Sequence, residues 1–160
     1  MNINEYFDKI YCINMSKRAD RWEAVTKRFE AVGLTNVYRW EALDGDVLEV
    51  LLGGELSKRN YVASTISHLM AINHAKYNNY ERVLILEDDV CPHKDLQKMF
   101  DDFYEKQSKL AWDIFYFGFI PITDDGQTWA YRLIDDCSAD KNIVKAKCYA
   151  SGSHAYALQK

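Results

Sequence analysis

Residues 82–90 read Arg-Val-Leu-Ile-Leu-Glu-Asp-Asp-Val, four consecutive apolar residues that run straight into three carboxylates. A short apolar run without alternation fits a strand buried on both faces, and such strands belong to mostly parallel sheets covered by helices. Side chains alternate along a strand, so Glu87 and Asp89 are expected on one side and Asp88 on the other. Three adjacent carboxylates repel one another and demand a cationic neighbour. In open α/β sheets, ligands sit just outside the carboxyl ends of the strands. Acids there are placed to hold a divalent metal through oxygen ligands, which makes Glu87, Asp88 and Asp89 candidate ligands. The competing role is simpler: Asp88 or Asp89 caps the helix after Pro92.

The rest of the chain supplies partners for that strand. Residues 9–14 read as a first strand ending on Asn14. Asp20-x-x-Glu23 has capping-box spacing, and Trp22, Val25, Phe29 and Val32 follow with helical periodicity until Gly33. Arg18 and Arg21 then flank a strand-to-helix turn at the positive end of a helix, suited to a phosphate; solvated surface arginines are the alternative. Residues 36–42 read as a second strand, repeating the β-α-β pattern of a parallel sheet. Asp44-Gly45 follows as a turn, so Asp44 either contacts a ribose or base or serves the turn alone. Residues 47–52 fit a short helix broken by Gly53-Gly54. Ser64 or Thr65 is a candidate cap for a helix to about residue 77, with Ile66, Leu69, Met70 and Ile72 as its apolar surface. Ser67 and His68 lie in its first turns, where a histidine is structural or functional.

Pro92 is expected to open a helix through residue 108, with Leu96, Met99, Phe100 and Phe103 as its stripe. Residues 113–117 form a strand stopped by Gly118. Residues 128–134 and 142–149 suggest an antiparallel pair, and residues 152–158 a final strand. No repeat or long linker interrupts this, so one α/β domain is expected.

Composition narrows the function. The chain has 160 residues, 48% hydrophobic and 28% charged, enough for one globular core. A net charge of −4 argues against a dedicated nucleic-acid binder. The four cysteines show no CxxC spacing, no apolar run reaches membrane-spanning length, and residues 1–5 lack the features of a signal peptide. A cytoplasmic location without a transmembrane segment is the expectation. Aromatic residues make up 14%, a content that suits either sugar stacking or core packing.

Five stretches in order resemble glycosyltransferase family 25, the lipopolysaccharide (lipooligosaccharide) galactosyl- and glucosyltransferases and collagen galactosyltransferases. They are Ile13-Asn14-Met15 through Arg18 and Asp20-Arg21; Ala42-Leu43-Asp44-Gly45; Ser67-His68; residues 83–90 with Glu87-Asp88-Asp89; and Gly152-Ser153-His154-Ala155-Tyr156. The resemblance implies a GT-A fold, a Rossmann-like domain with a central mostly parallel sheet flanked by helices. It implies a Mn²⁺ or Mg²⁺ site at the acidic strand end, UDP-galactose or UDP-glucose as donor, and a glycan or glycosylated acceptor. Donor contacts fall to Asn14, Arg18, Arg21, Asp44, Ser67 and His68. The family inverts configuration, so a base must deprotonate the acceptor hydroxyl; Asp124, Asp125 and His154 are the candidates. Met15 stands where the family usually has Leu. The family pattern normally runs past the segment resembling residues 152–158, so the acceptor side is expected to be incomplete.

Two other classes compete. One is a non-catalytic domain binding a nucleotide sugar or a partner. The other is a metal-dependent hydrolase or receiver-like domain, which leaves Arg18, Arg21 and the final Gly-Ser-His-Ala-Tyr unexplained.

Overall fold

The computed structural model describes residues 1–53, 58–107, 112–121, 134–135, 145–146 and 150–160. The order is α1 (Ile3–Tyr6), β1 (Lys9–Asn14), α2 (Ala19–Ala31), β2 (Val37–Glu41), α3 (Gly45–Leu52), α4 (Arg59–Tyr77) and β3 (Arg82–Glu87). Then come α5 (Leu96–Gln107), β4 (Ile114–Pro121), β5 (Ile134–Asp135), β6 (Lys145–Ala146) and β7 (Ala150–Gln159). Five strands form one open sheet in the order β2-β1-β3-β7-β4. β1 runs parallel to β2 and β3, while β7 is antiparallel to both β3 and β4. The class is therefore α/β with a mixed sheet flanked by helices, consistent with a Rossmann-like arrangement.

The apolar run in β3 lies at the sheet's centre because both its faces are covered. Leu84 and Leu86 join Ile10, Cys12, Val25, Phe29, Phe100 and Phe103 in a core under α1, α2 and α5. Val83 and Ile85 pack with Tyr11, Ile13, Ala71, Ala75 and Tyr156 under α4. Ile13 is level with Trp40 on one side and Glu87 on the other. That register brings the carboxyl ends of β1, β2 and β3 onto one rim, as the β-α-β pattern predicts.

Several local expectations are corrected. α2 has Arg18 at its N-cap with no side-chain cap. The capping box does not form, because Asp20 accepts two hydrogen bonds from the Arg18 guanidinium, at 3.0 and 2.8 Å, and Glu23 pairs with Lys27. α4 begins at Arg59, so Ser64 and Thr65 lie inside it; the Thr65 hydroxyl donates back to the Tyr61 carbonyl. Its buried positions are Ala63, Ser67, Ala71 and Ala75, whereas Leu69 and Met70 are half exposed. α5 starts at Leu96 rather than Pro92, since residues 93–96 close a turn from the Leu96 N–H to the His93 carbonyl. Met99 leaves its stripe for solvent, while Phe100 and Phe103 are buried. β4 continues through Gly118, with register shifts against β7 on either side of that glycine. β5 and β6 pair antiparallel, as expected of residues 128–134 and 142–149; the remainder of both runs lies outside the described residues. Among the described residues, no helix is long and apolar enough to cross a membrane.

Candidate functional site

Asn14 closes β1 and is 1% exposed. A buried amide must spend its donors and acceptor inside the fold. Its Nδ2 donates to Asp88 Oδ2 at 2.7 Å and to the Arg18 carbonyl at 3.2 Å. Its Oδ1 accepts from the Arg39 guanidinium, with Nε at 2.9 Å. Arg39 is stacked on the Trp22 ring, its guanidinium carbon 5.2 Å from the centroid. Asp88 completes the set through its other oxygen, which accepts from Arg21 Nη1 at 2.9 Å. The cationic neighbour demanded by the acidic run is thus Arg21, on the first turns of α2. Together Asn14, Arg39, Asp88 and Arg21 lock the ends of β1, β2 and β3 to α2.

The three carboxylates part company at this point. The expected alternation ends with the strand at Glu87, because a turn follows, with the Val90 N–H on the Glu87 carbonyl at 3.2 Å. Glu87 lies on the α4 face, its Oε1 3.5 Å from His68 Nε2. Asp88 lies on the α2 face. Asp89 borders a cavity of about 900 Å³ on that same side, lined by Leu84, Leu86, Phe100, Phe115 and Ala155. Glu87 and Asp89 therefore do not share a side, which corrects the strand-based expectation. Among the described residues, no three His, Cys, Asp or Glu side chains converge as a metal site would require. With Glu87 on the opposite face from Asp88 and Asp89, the donor set does not fit a three-carboxylate metal centre.

The other candidates are distributed along the rim. Arg18 is clasped by Asp20, whose carboxyl this hydrogen bonding lowers to about 2. Asp44 serves the chain locally: it caps α3 by accepting from the Asp46 N–H at 3.0 Å and binds Lys17 Nζ at 2.5 Å. The Lys17 contact, then the Asp46 amide, hold its carboxyl below the usual range. Ser67 is fully buried. Its hydroxyl accepts from the Leu43 N–H at 2.8 Å and donates to the Ala63 carbonyl at 2.7 Å, tying the β2–α3 junction to α4. His68 sits between Tyr156 and Glu87: Nδ1 is 2.9 Å from the Tyr156 hydroxyl, and the two rings stack at 5.7 Å. Burial, then Tyr116 and Glu87, push the Tyr156 phenol well up, so it keeps its proton. Asp124 and Asp125 lie outside the described residues, as does the side chain of His154, whose backbone belongs to β7.

The structure thus brings together Asn14, Arg21 and Asp88 on one face of the rim and His68 with Glu87 on the other. Arg39 and Tyr156 are the members that residue-by-residue reading left without a role. A signal for Arg39 existed: it is level with Cys12 in the register, so its alternation points it at a buried face. No protein-family model matches this chain, and no curated protein matches it.

Proposed function

We propose that this chain is a glycosyltransferase domain of the GT-A type, similar to family 25. In this reading it moves galactose or glucose from a UDP-sugar, with inversion, to a hydroxyl of a glycan, lipooligosaccharide or protein-linked acceptor in the cytoplasm. One observation carries it: the ends of three parallel strands meet at a rim where Arg21, half exposed at the start of α2, is held by Asp88. Ligands of open α/β sheets occupy that edge. A guanidinium beside a helix N-terminus suits a diphosphate, whose oxygens compete with Asp88 for the same fork. Displacement of UDP leaves negative charge on the leaving group, and Arg21 offsets it. Asp124, Asp125 and His154 remain the candidates for the base.

Mn²⁺ or Mg²⁺ enters as a cofactor to be tested, with Glu87 and Asp89 as the residues to replace. The separation of Glu87 from Asp88 and Asp89 across the sheet favours a second reading, a non-catalytic domain that binds a nucleotide sugar or a partner. Turnover with any sugar acceptor excludes it.

The test is thermal unfolding with UDP, UDP-galactose and UDP-glucose, each with and without Mn²⁺. A ligand at about 100 times its Kd adds about 2.7 kcal/mol of stability, several degrees of Tm for a chain of this size. A rise with UDP compounds that is lost in Arg21→Ala is expected. No shift with any of them at millimolar concentration overturns the reading.

A further inference from the structure

The geometry points to Tyr156 and His68 as positioning residues for Glu87, in a hydroxyl–imidazole–carboxylate chain that aims His68 Nε2–H at Glu87 Oε1. Three elements contribute one residue each: β7 gives Tyr156, α4 gives His68 and β3 gives Glu87. Tyr156 is level with Ile85 in the β3–β7 ladder, two residues before Glu87 on the same face of β3. Tyr156 is 6% exposed and the His68 side chain 12%, so the ring between them is nearly shut off from water.

Only one neutral tautomer suits these surroundings. With the proton on Nδ1, the phenol must accept, and a bare Nε2 lone pair faces a carboxylate oxygen 3.5 Å away. With the proton on Nε2, the Tyr156 hydroxyl donates to Nδ1 at 2.9 Å and the N–H faces the carboxylate. The second arrangement satisfies Nδ1 and replaces a repulsion with an attraction. His68 Nε2 is the one buried side-chain polar atom among the described residues with no hydrogen-bond partner. A gap of 3.5 Å is long for a hydrogen bond. Contacts of this kind in ligand-free sites are often long and tighten when the ligand arrives. Glu87 is thereby the carboxylate of the acidic run oriented through an imidazole and a phenol, whereas Asp88 is held by Arg21 and Asn14. The activity half of this inference rests on the sugar-transfer reading; the tautomer half does not.

The experiment uses the whole chain with ¹⁵N-labelled histidine at mildly alkaline pH, the His68 signals assigned by their loss in His68→Gln. The parent is expected to show the Nε2–H tautomer, and Tyr156→Phe, which keeps the ring, to shift His68 toward Nδ1–H. An Nδ1–H tautomer in the parent overturns the inference, and so does an unchanged signature in folded Tyr156→Phe. In the activity arm, Tyr156→Phe lowers kcat for UDP-galactose consumption on the order of tenfold with KM held within about twofold. His68→Gln, which keeps a donor, is expected to lose less than His68→Ala. If the parent consumes UDP-galactose and Tyr156→Phe matches it, the positioning role falls. If the parent consumes neither UDP-galactose nor UDP-glucose, the sugar-transfer reading falls, and the tautomer alone decides the relay.

Discussion

On the α2/α5 face of the sheet, rings do the packing: Tyr6 meets Phe7 at 4.9 Å, and Phe103 meets Phe115 at 4.5 Å. On the opposite face α4 presents Ala63, Ser67, Ala71 and Ala75. The cavity beside Asp89 lies on the ring-packed face, whereas small side chains let the α4 backbone settle against the strands. The rim differs in the same way. Its α2 face ends in a lattice of charge-assisted bonds centred on Asn14, and its α4 face ends in the contact of His68 with Glu87. The lattice is built to hold its shape. The α4 side leaves His68 Nε2 buried without a hydrogen-bond partner, and so is the side with something to gain from a ligand.

Removing the centre of the lattice is the harshest way to break this comparison. Asn14→Ala strips a partner from Asp88 and from Arg39 together. A loss of about 3 kcal/mol in urea denaturation is expected, because two hydrogen bonds to charged groups are lost while Asp88 keeps Arg21 and Arg39 keeps the Trp22 ring. A loss below about 1 kcal/mol shows that water substitutes for the amide and that the rim is not locked.

The packing contrast is sharpened by adding the same volume to each face. Ala71→Leu pushes α4 off the sheet and is expected to cost about 2 kcal/mol. Ala155→Leu extends into the cavity, which Ala155 lines, and is expected to cost less than about 1 kcal/mol. Equal costs in chemical denaturation dissolve the distinction between the faces.

The sequence made the strands and their shared rim legible because those depend on long apolar runs and on β-α-β order. The sides of α4 were not legible: Leu69 and Met70 attract a hydropathy reading, but three alanines and Ser67, at every fourth position, carry the contact with little hydropathy signal. Asp20 misled because a capping box and an arginine clasp need the same carboxylate, and Arg18, two residues earlier, binds it through two charge-assisted bonds. The link from Asn14 to Asp88 spans 74 positions, and no local pattern encodes it. The meeting of Arg21 with the acidic strand end could be anticipated, since both placements follow from strand ends and helix starts. The rim's division into two faces could not, since it depends on where β3 stops.

The smallest expected effect concerns Asp20. Its carboxyl is depressed in the folded protein from an ordinary 3.8 to about 2, chiefly by the Arg18 hydrogen bond. A depressed acid contributes stability that is complete above its unfolded value and disappears as pH falls through the folded one. The contribution therefore fades between about pH 4 and pH 2. Because the pair is exposed, the effect is slight. An NMR titration should find the low midpoint in the parent and return it to the ordinary range in Arg18→Ala; an ordinary midpoint in the parent removes the clasp.

The position of β7 carries a consequence for how the molecule is made. This last strand in the sequence occupies an interior place, between β3 and β4. During synthesis β3 can pair with β1 as soon as Glu87 has emerged, but its other edge must wait for Gln159. At about 5–20 residues per second that wait is roughly 4–14 s. Throughout it, a strand with four consecutive apolar residues shows an uncovered edge, the kind of surface on which nascent chains pair with one another. The yield of native protein is therefore expected to fall as nascent chains are crowded together, whatever the stability of the finished sheet.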